Sequence, residues 1–378
     1  MPQRGKKGSR TKIEPTGGKE EEALKEALAL ARQVYDEFKR GDVPSLRLPL
    51  RTKQNILFNL RDGVWKLGPQ TGVRSARKMD GAMMLLRTFW IVDFIREMAK
   101  DSKTSTLREL YYISEQWKEA KFDSEDESNL LIEDLEVLCG KLREDFRLHP
   151  EENGASVIGD LTIEELNRKG TIKKINCRDD VGDGGYQLPN NVEKEKITLK
   201  STGAKFVVAI ECGGMMDRLA ENGFDEKHGA LLVHLKGQPA RSTRRFVKRL
   251  NEELNLPIVV FTDGDPWSFR IYASVAYGAI KTAHLSSYLA TPSAQFLGVS
   301  ASDIVNYDLP SDHLNDKDIR ALNAELTDPR FNDDFWKNEI QLMLEKGKKA
   351  EQQSLAKYGL NYVTDKYLPE KLTEMGVI

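Results

Sequence analysis

Three short stretches carry the densest apolar runs of the chain: Phe206–Ile210, Ala230–His234 and Pro257–Phe261. Strands buried on both faces read this way. Between them the period turns helical, from about Met215 and then from about Ser242 to Leu254. The series is βαβαβ, which predicts a largely parallel sheet. Upstream, Leu24, Ala27, Leu28, Ala31 and Val34 predict an amphipathic helix over Glu20–Arg40. Leu46 to Arg51 alternates and predicts a short edge strand. Met83, Leu86, Phe89, Val92, Ile95 and Met98 line a helix running from Ala76 or Asp80 to Met98. The next begins near Thr106, where Thr106-x-x-Glu109 has the capping-box pattern. Another is expected from Ser128 to about Phe146, through Leu131, Leu135 and Leu138. Short helices with tight connections between Asn55 and Phe146 resemble a helix-turn-helix or winged-helix module. Residues 151–203 are rich in Gly, Asn, Asp and Thr. They read as a connector with some strands, such as Thr171–Ile175. The remainder, to Ile378, is more helical, and no internal repeat is visible.

Composition narrows the class. A chain of 378 residues predicts two or three domains. Hydrophobic content of 39% and charged content of 31% suit a water-soluble globular protein. A net charge of −2 excludes a uniformly basic nucleic-acid coat, so any such interaction must use local patches. Cys139, Cys177 and Cys212 form no CxxC and have no histidine at metal spacing, which argues for a reducing compartment. No apolar stretch approaches the ~18 residues of a membrane span. The start of the chain has no apolar segment of the secretory kind. Residues 1–19, with Arg4, Lys6, Lys7, Arg10, Lys12 and Lys19, read as a disordered basic tail, either solubilising or an arm for DNA or a partner. No G-x-x-x-x-G-K-[ST] loop is present.

The candidate chemistry sits at strand exits and on one helix. Glu211 follows Phe206–Ile210, and Asp263-Gly264-Asp265 follows Ile258–Thr262. An α/β sheet places its chemistry at such exits. A few carboxylate oxygens, completed by water, suit Mg²⁺. Each carboxylate also has a plainer reading as a turn or helix-cap residue. In Thr106–Tyr112, Leu107, Leu110, Tyr111 and Ser114 form one helical stripe. Tyr112 is rotated by roughly 100° from Tyr111 and shares a face with Arg108, four residues earlier. Tyr111 therefore packs and Tyr112 is presented. A phenol can attack a phosphodiester, and a guanidinium beside it stabilises charge on the phosphoryl oxygens. The plainer reading is an ordinary surface tyrosine beside a solvated arginine. Lys236, Arg241, Arg244, Arg245, Lys248 and Arg249 form one basic run, and Arg74, Arg77 and Lys78 belong to another. Both read as phosphate-tracking patches or as solvated helix faces. The acidic stretch from Asp123 to Glu136 is unsuited to DNA and suggests a basic partner.

Taken together, these strings resemble the A subunits of archaeal topoisomerase VI, whose eukaryotic relative is the meiotic double-strand-break transesterase. Thr106–Ser114 resembles the nucleophile segment. Phe206–Leu219 and Val260–Pro266 resemble the two Toprim motifs, and Lys236-Gly237-Gln238-Pro239 fits the segment between them. Leu289–Pro292, Phe296–Val299 and Lys348–Gln353 look like the archaeal protein more than the meiotic one. One departure is Cys212, where the family more usually has Thr or Lys.

The resemblance implies an α/β multidomain protein, with a winged-helix DNA-binding domain of the catabolite-activator type followed by a Toprim α/β domain. The expected divisions are a tail over 1–19, a helix and partner-binding arm over 20–69, a winged-helix domain with the nucleophile over 70–150, a connector over 151–203, and a Toprim domain with a helical extension over 204–378. It implies Tyr112 as nucleophile, Arg108 as its catalytic partner, and Glu211, Asp263 and Asp265 as Mg²⁺ ligands. It also implies a homodimer acting on double-stranded DNA, with a separate GHKL-type ATPase, the B component, supplying ATP turnover in an A2B2 heterotetramer. The setting is cytoplasmic and nucleoid-associated, with no membrane partner. Two alternatives remain open: a recombination transesterase without strand passage, and a Toprim nuclease or DNA-binding protein.

Overall fold

The computed structural model describes residues 17–150, 154–167 and 169–378. The chain divides into two compact units, Met1–Leu48 with Gly72–Glu151, and Pro49–Thr71 with Glu152–Ile378.

The first unit is built on the helices Gly17–Lys39, Met79–Lys100, Leu107–Ser114 and Glu125–Cys139. Their apolar stripes meet in a core of Ala23, Ala27, Ile91, Val92, Ile95, Leu110, Leu131 and Leu135, closed by Phe122 and Phe146. The first helix starts at Gly17, so residues 17–19 are helical and not tail. The rest of the expected tail, residues 1–16, lies outside the described residues. The last helix stops at Cys139, short of the expected Phe146. Gly140 takes a left-handed φ of 61°, and its N–H closes on Glu136 O. Glycine reaches that conformation without a Cβ penalty, so it terminates the helix. The acidic stretch after Asp123 is partly neutralised within the unit. Arg87 pairs with Asp123 and Glu127, and Arg74 with Asp134 at 2.5 Å.

The second unit holds a six-stranded sheet in the order Tyr186–Gln187, Ser156–Ile158, Ala230–His234, Phe206–Ile210, Ile258–Phe261, Gln295–Gly298. The last four are parallel, and Ser156–Ile158 runs antiparallel to Ala230–His234. The sheet is thus mixed, with an antiparallel margin that short polar strands did not announce. Phe206–Ile210 is central and fully buried, flanked by strands reached in opposite directions. Its C-terminal exit is therefore the topological switch point of the sheet.

Residues 161–202 do more than connect. Leu161–Leu166, Ile172–Asn176 and Ile197–Thr202 form a three-stranded antiparallel sheet. Residues 49–71 also differ from the expected arm, since they belong to this unit. They carry a hairpin, Ile56–Asn59 with Val64–Leu67. Asn59 Oδ1 accepts from the N–H groups of Arg61 and Asp62 at 3.0 Å, and Gly63 takes φ 65° to close the turn. Ile56 and Trp65 then bury against Ala283. Among the described residues, no helix is long and apolar enough to cross a membrane.

Candidate active site

The tyrosine helix is fixed at its start. Glu109 N–H donates to Thr106 Oγ1 at 3.0 Å, and Thr106 N–H donates to Glu109 Oε2 at 2.7 Å. The Thr106 N–H, joined by Ser105 Oγ, holds the Glu109 carboxyl below its usual range. With the register set, Leu110 and Ser114 are fully buried and Tyr111 packs half-buried on the core. Tyr112 is 58% exposed. The Arg108 guanidinium lies over its ring, 5.9 Å from the centroid. One tyrosine packs and the next faces solvent beside a cation, which is the division the helical period predicts.

The carboxylates gather at the switch point of the sheet in the second unit. Glu211 N–H continues the ladder to Phe261 O at 3.0 Å, and Asp263 N–H donates to Glu211 Oε2 at 3.1 Å. Burial pushes the Glu211 carboxyl up to about 7. The charges of Asp263 and Asp265 add to this, against hydrogen bonds from Ser268 and Asp263 N–H. Burial likewise pushes Asp263 up to about 6, aided by Asp265 and Glu351 and opposed by the N–H of Gln352. Asp265 caps the helix Pro266–Ala276, accepting from Ser268 N–H at 2.8 Å. Among the described residues, no three His, Cys, Asp or Glu side chains form a ready-made metal cage. Two proton-hungry carboxylates with a third carboxylate close by still match a hydrated divalent cation, which takes few protein oxygens and neutralises their repulsion.

A strap from the C-terminal part of the chain crosses this centre. Gly264 and Ala350 exchange backbone bonds of 2.7 and 3.1 Å, and Gln352 N–H donates to Asp263 Oδ1 at 2.8 Å. Gln353 Nε2 lies 2.6 Å from Cys212 Sγ. Lys349 Nζ bonds Asp318 Oδ2 at 2.9 Å. The string Lys348–Gln353 stood out in the sequence, but nothing there tied it to the carboxylates. His234 also closes on the centre, with its ring bonded to the backbone of Glu211 and its pKa lowered by burial.

The basic candidates divide. Lys236 is exposed, with φ 58°, and its neighbour Gly237 donates to Glu211 O at 3.2 Å. Arg77 and Lys78 are also exposed. Arg241 is half-buried. Arg74, Arg244 and Arg245 do not present phosphate-ready heads. Arg74 is spent on Asp134. Arg244 is 6% exposed. Arg245 pairs with Glu193 at 2.9 Å and stacks on Tyr288 at 4.1 Å. Arg249 is fully buried, bonding Glu253, Val192 O and Ile197 O. Arg245 and Arg249 clamp residues 192–197 onto the helix Arg241–Leu254.

Three family models match the chain in order. Residues 83–148 match the type IIB DNA topoisomerase model. Residues 151–203 match the all-beta domain of the DNA topoisomerase VI alpha chain. Residues 206–372 match the Toprim domain shared by the topoisomerase 6 A chain and Spo11. The A chain of type 2 DNA topoisomerase 6 from Archaeoglobus fulgidus is 58% identical over 95% of this chain and 99% of its own. The like-named protein from Methanosarcina mazei is 52% identical over 99% of this chain and 100% of its own. The chain belongs to the family of topoisomerase VI A subunits. Members of that family are the DNA-cleaving components of type IIB topoisomerases. The likeness to archaeal members over nearly the whole length agrees with the reading of the C-terminal strings. The match over 151–203 gives the three-stranded sheet a family meaning that composition alone did not.

Proposed function

We propose that Tyr112 is the nucleophile of a reversible DNA transesterification. Its Oη bonds to phosphorus, the P–O3′ bond breaks, and a 5′-phosphotyrosine link conserves the bond energy for religation. The phenol loses its proton and the departing 3′ oxygen gains one. Arg108, stacked on the Tyr112 ring, stabilises the charge that develops on the phosphoryl oxygens. Glu211, Asp263 and Asp265 would hold Mg²⁺, which supplies charge neutralisation at the scissile phosphate when bound. Lys236, exposed beside Glu211, would meet a neighbouring phosphate. Arg77 and Lys78 are further candidates.

The first unit is read as the winged-helix module that presents the tyrosine. The working assembly is read as two copies of this chain with two copies of a separate ATPase on double-stranded DNA, in the cytoplasm with the nucleoid. Each duplex strand would be cut by one copy, and a second duplex would pass through. The observation that carries the reading is the asymmetry of the adjacent tyrosines, with Tyr112 exposed under a guanidinium and Tyr111 packed.

A cleavage assay tests it. The chain is mixed with its ATPase partner, supercoiled plasmid, Mg²⁺ and a non-hydrolysable ATP analogue, then quenched with detergent. Linear DNA with protein on its 5′ ends, absent for Tyr112→Phe, is expected. Free-ended breaks that survive Tyr112→Phe would mean a Toprim nuclease instead.

A further inference from the structure

Gln352 is fully buried, and among the described residues neither its amide oxygen nor its amide nitrogen has a hydrogen-bond partner. A buried amide without partners is costly, and an apolar side chain of equal length would fill the same space more cheaply. The presence of an amide there calls for a ligand. The position says which. Gln352 N–H donates to Asp263 Oδ1 at 2.8 Å, so the residue stands directly beside a carboxylate of the acidic centre. Its backbone has little freedom to move away. Two residues earlier, Ala350 is bonded both ways to Gly264, between Asp263 and Asp265. One residue later, Gln353 reaches Cys212, next to Glu211. Gly264 is crowded in turn, since a Cβ there would meet Val299 O at 3.1 Å and Ala350 O at 3.3 Å.

The donor set is also short by its own logic. Asp265 uses one oxygen to cap a helix, and Glu211 uses one to accept from Asp263 N–H. A fourth carboxylate would deepen the repulsion, whereas an amide oxygen adds a donor without adding charge.

We propose that the Gln352 side-chain amide oxygen completes the oxygen shell of the divalent cation held by Glu211, Asp263 and Asp265. The inference rests on the metal reading above. It assigns two jobs to one residue. The backbone N–H orients Asp263, and the side chain orders the hydrated ion.

The test uses the full chain with Mn²⁺ as probe, followed by electron paramagnetic resonance, alongside metal-free thermal melting. Gln352→Met removes the amide at nearly constant volume and keeps the backbone bond. It is expected to melt at or above the wild-type temperature without metal and to bind Mn²⁺ at least about 10-fold more weakly, since loss of even an outer partner typically costs that much. Gln352→Asn keeps the amide but withdraws it by one methylene, and the same weakening is expected. That second variant decides the matter should Gln352→Met fail to fold. Wild-type affinity in the folded variants, with binding lost in Asp263→Asn, overturns the inference and leaves the metal reading standing. No Mn²⁺ binding by wild type, or undiminished binding by Asp263→Asn, overturns both.

Discussion

Asp263 donates its backbone N–H to Glu211 Oε2 across 3.1 Å, so two strand exits are tied together through the very carboxyl they present. The bond offsets only part of the cost of burying Glu211, as the Gln352 N–H does for Asp263, and the two pKa values still rise to about 7 and about 6.

The sign of the resulting pH dependence follows. An unfolded glutamate loses its proton near 4.5, whereas folded Glu211 keeps it to about 7. Between those values the folded state binds the extra proton, so metal-free stability falls as pH rises and levels off above about 7. Glu211→Gln has no such charge. At pH 8 without metal it should be more stable than wild type, by on the order of 2–3 kcal/mol at most. The difference should vanish below about pH 4.5. Urea unfolding with a chelator across pH measures it, and an unchanged difference at pH 4 and pH 8 would contradict the burial argument. Added Mn²⁺ should stabilise wild type and not the variant.

Tyr112→Phe should abolish covalent attachment to DNA while shifting stability by less than about 0.5 kcal/mol, because the side chain is mostly exposed. Tyr111→Ala should do the reverse in part, costing about 1–3 kcal/mol through lost packing. Comparing attachment yield with unfolding midpoint for both separates presentation from packing.

Thr106→Ala removes one half of the capping box and should cost about 1 kcal/mol. The first turn of the helix carries Arg108, so cleavage should fall further than stability alone accounts for. Thr106→Ser, which keeps the hydroxyl, should restore both. Melting temperature and single-turnover cleavage are the readouts.

Two basic residues from the same sequence run should part company. Lys236→Ala should leave folding intact and reduce the slope of log affinity for DNA against log salt by about 1. Arg245→Ala removes the guanidinium that pairs with Glu193 and stacks on Tyr288, and should cost about 2–4 kcal/mol of stability. A salt titration and a chemical melt distinguish them; equal behaviour would undo the division.

The parallel core and the tyrosine face were legible because both depend on local pattern. Phe206–Ile210 is an unbroken apolar run, and the stripe through Leu107, Leu110, Tyr111 and Ser114 turns Tyr112 outward by geometry alone. What escaped depends on distant partners. Arg244, Arg245 and Arg249 looked like a DNA-facing stripe because charge is written in sequence but Glu193 and Val192 O are not written beside it. The Ile56–Leu67 hairpin turns through the four residues Leu60-Arg61-Asp62-Gly63, so Asp62-Gly63 does not sit as a two-residue loop between the strands and the local pattern reads as part of a helical region. Gln352 meets Asp263 across 89 residues of chain, and no periodicity spans that gap.

The path of the backbone through residues 49–71 bears on how this protein comes apart. The chain leaves the first unit after Leu48, deposits a hairpin in the second, and returns at Gly72 before leaving again after Glu151. A single cut near residue 151 therefore cannot yield two intact halves. The upstream piece would carry Ile56 and Trp65 with no Ala283 to cover them, and the downstream piece would lack the hairpin that seals that cluster. Limited proteolysis should release the second unit whole only after three cleavages, with residues 49–71 retained as a non-covalently bound peptide.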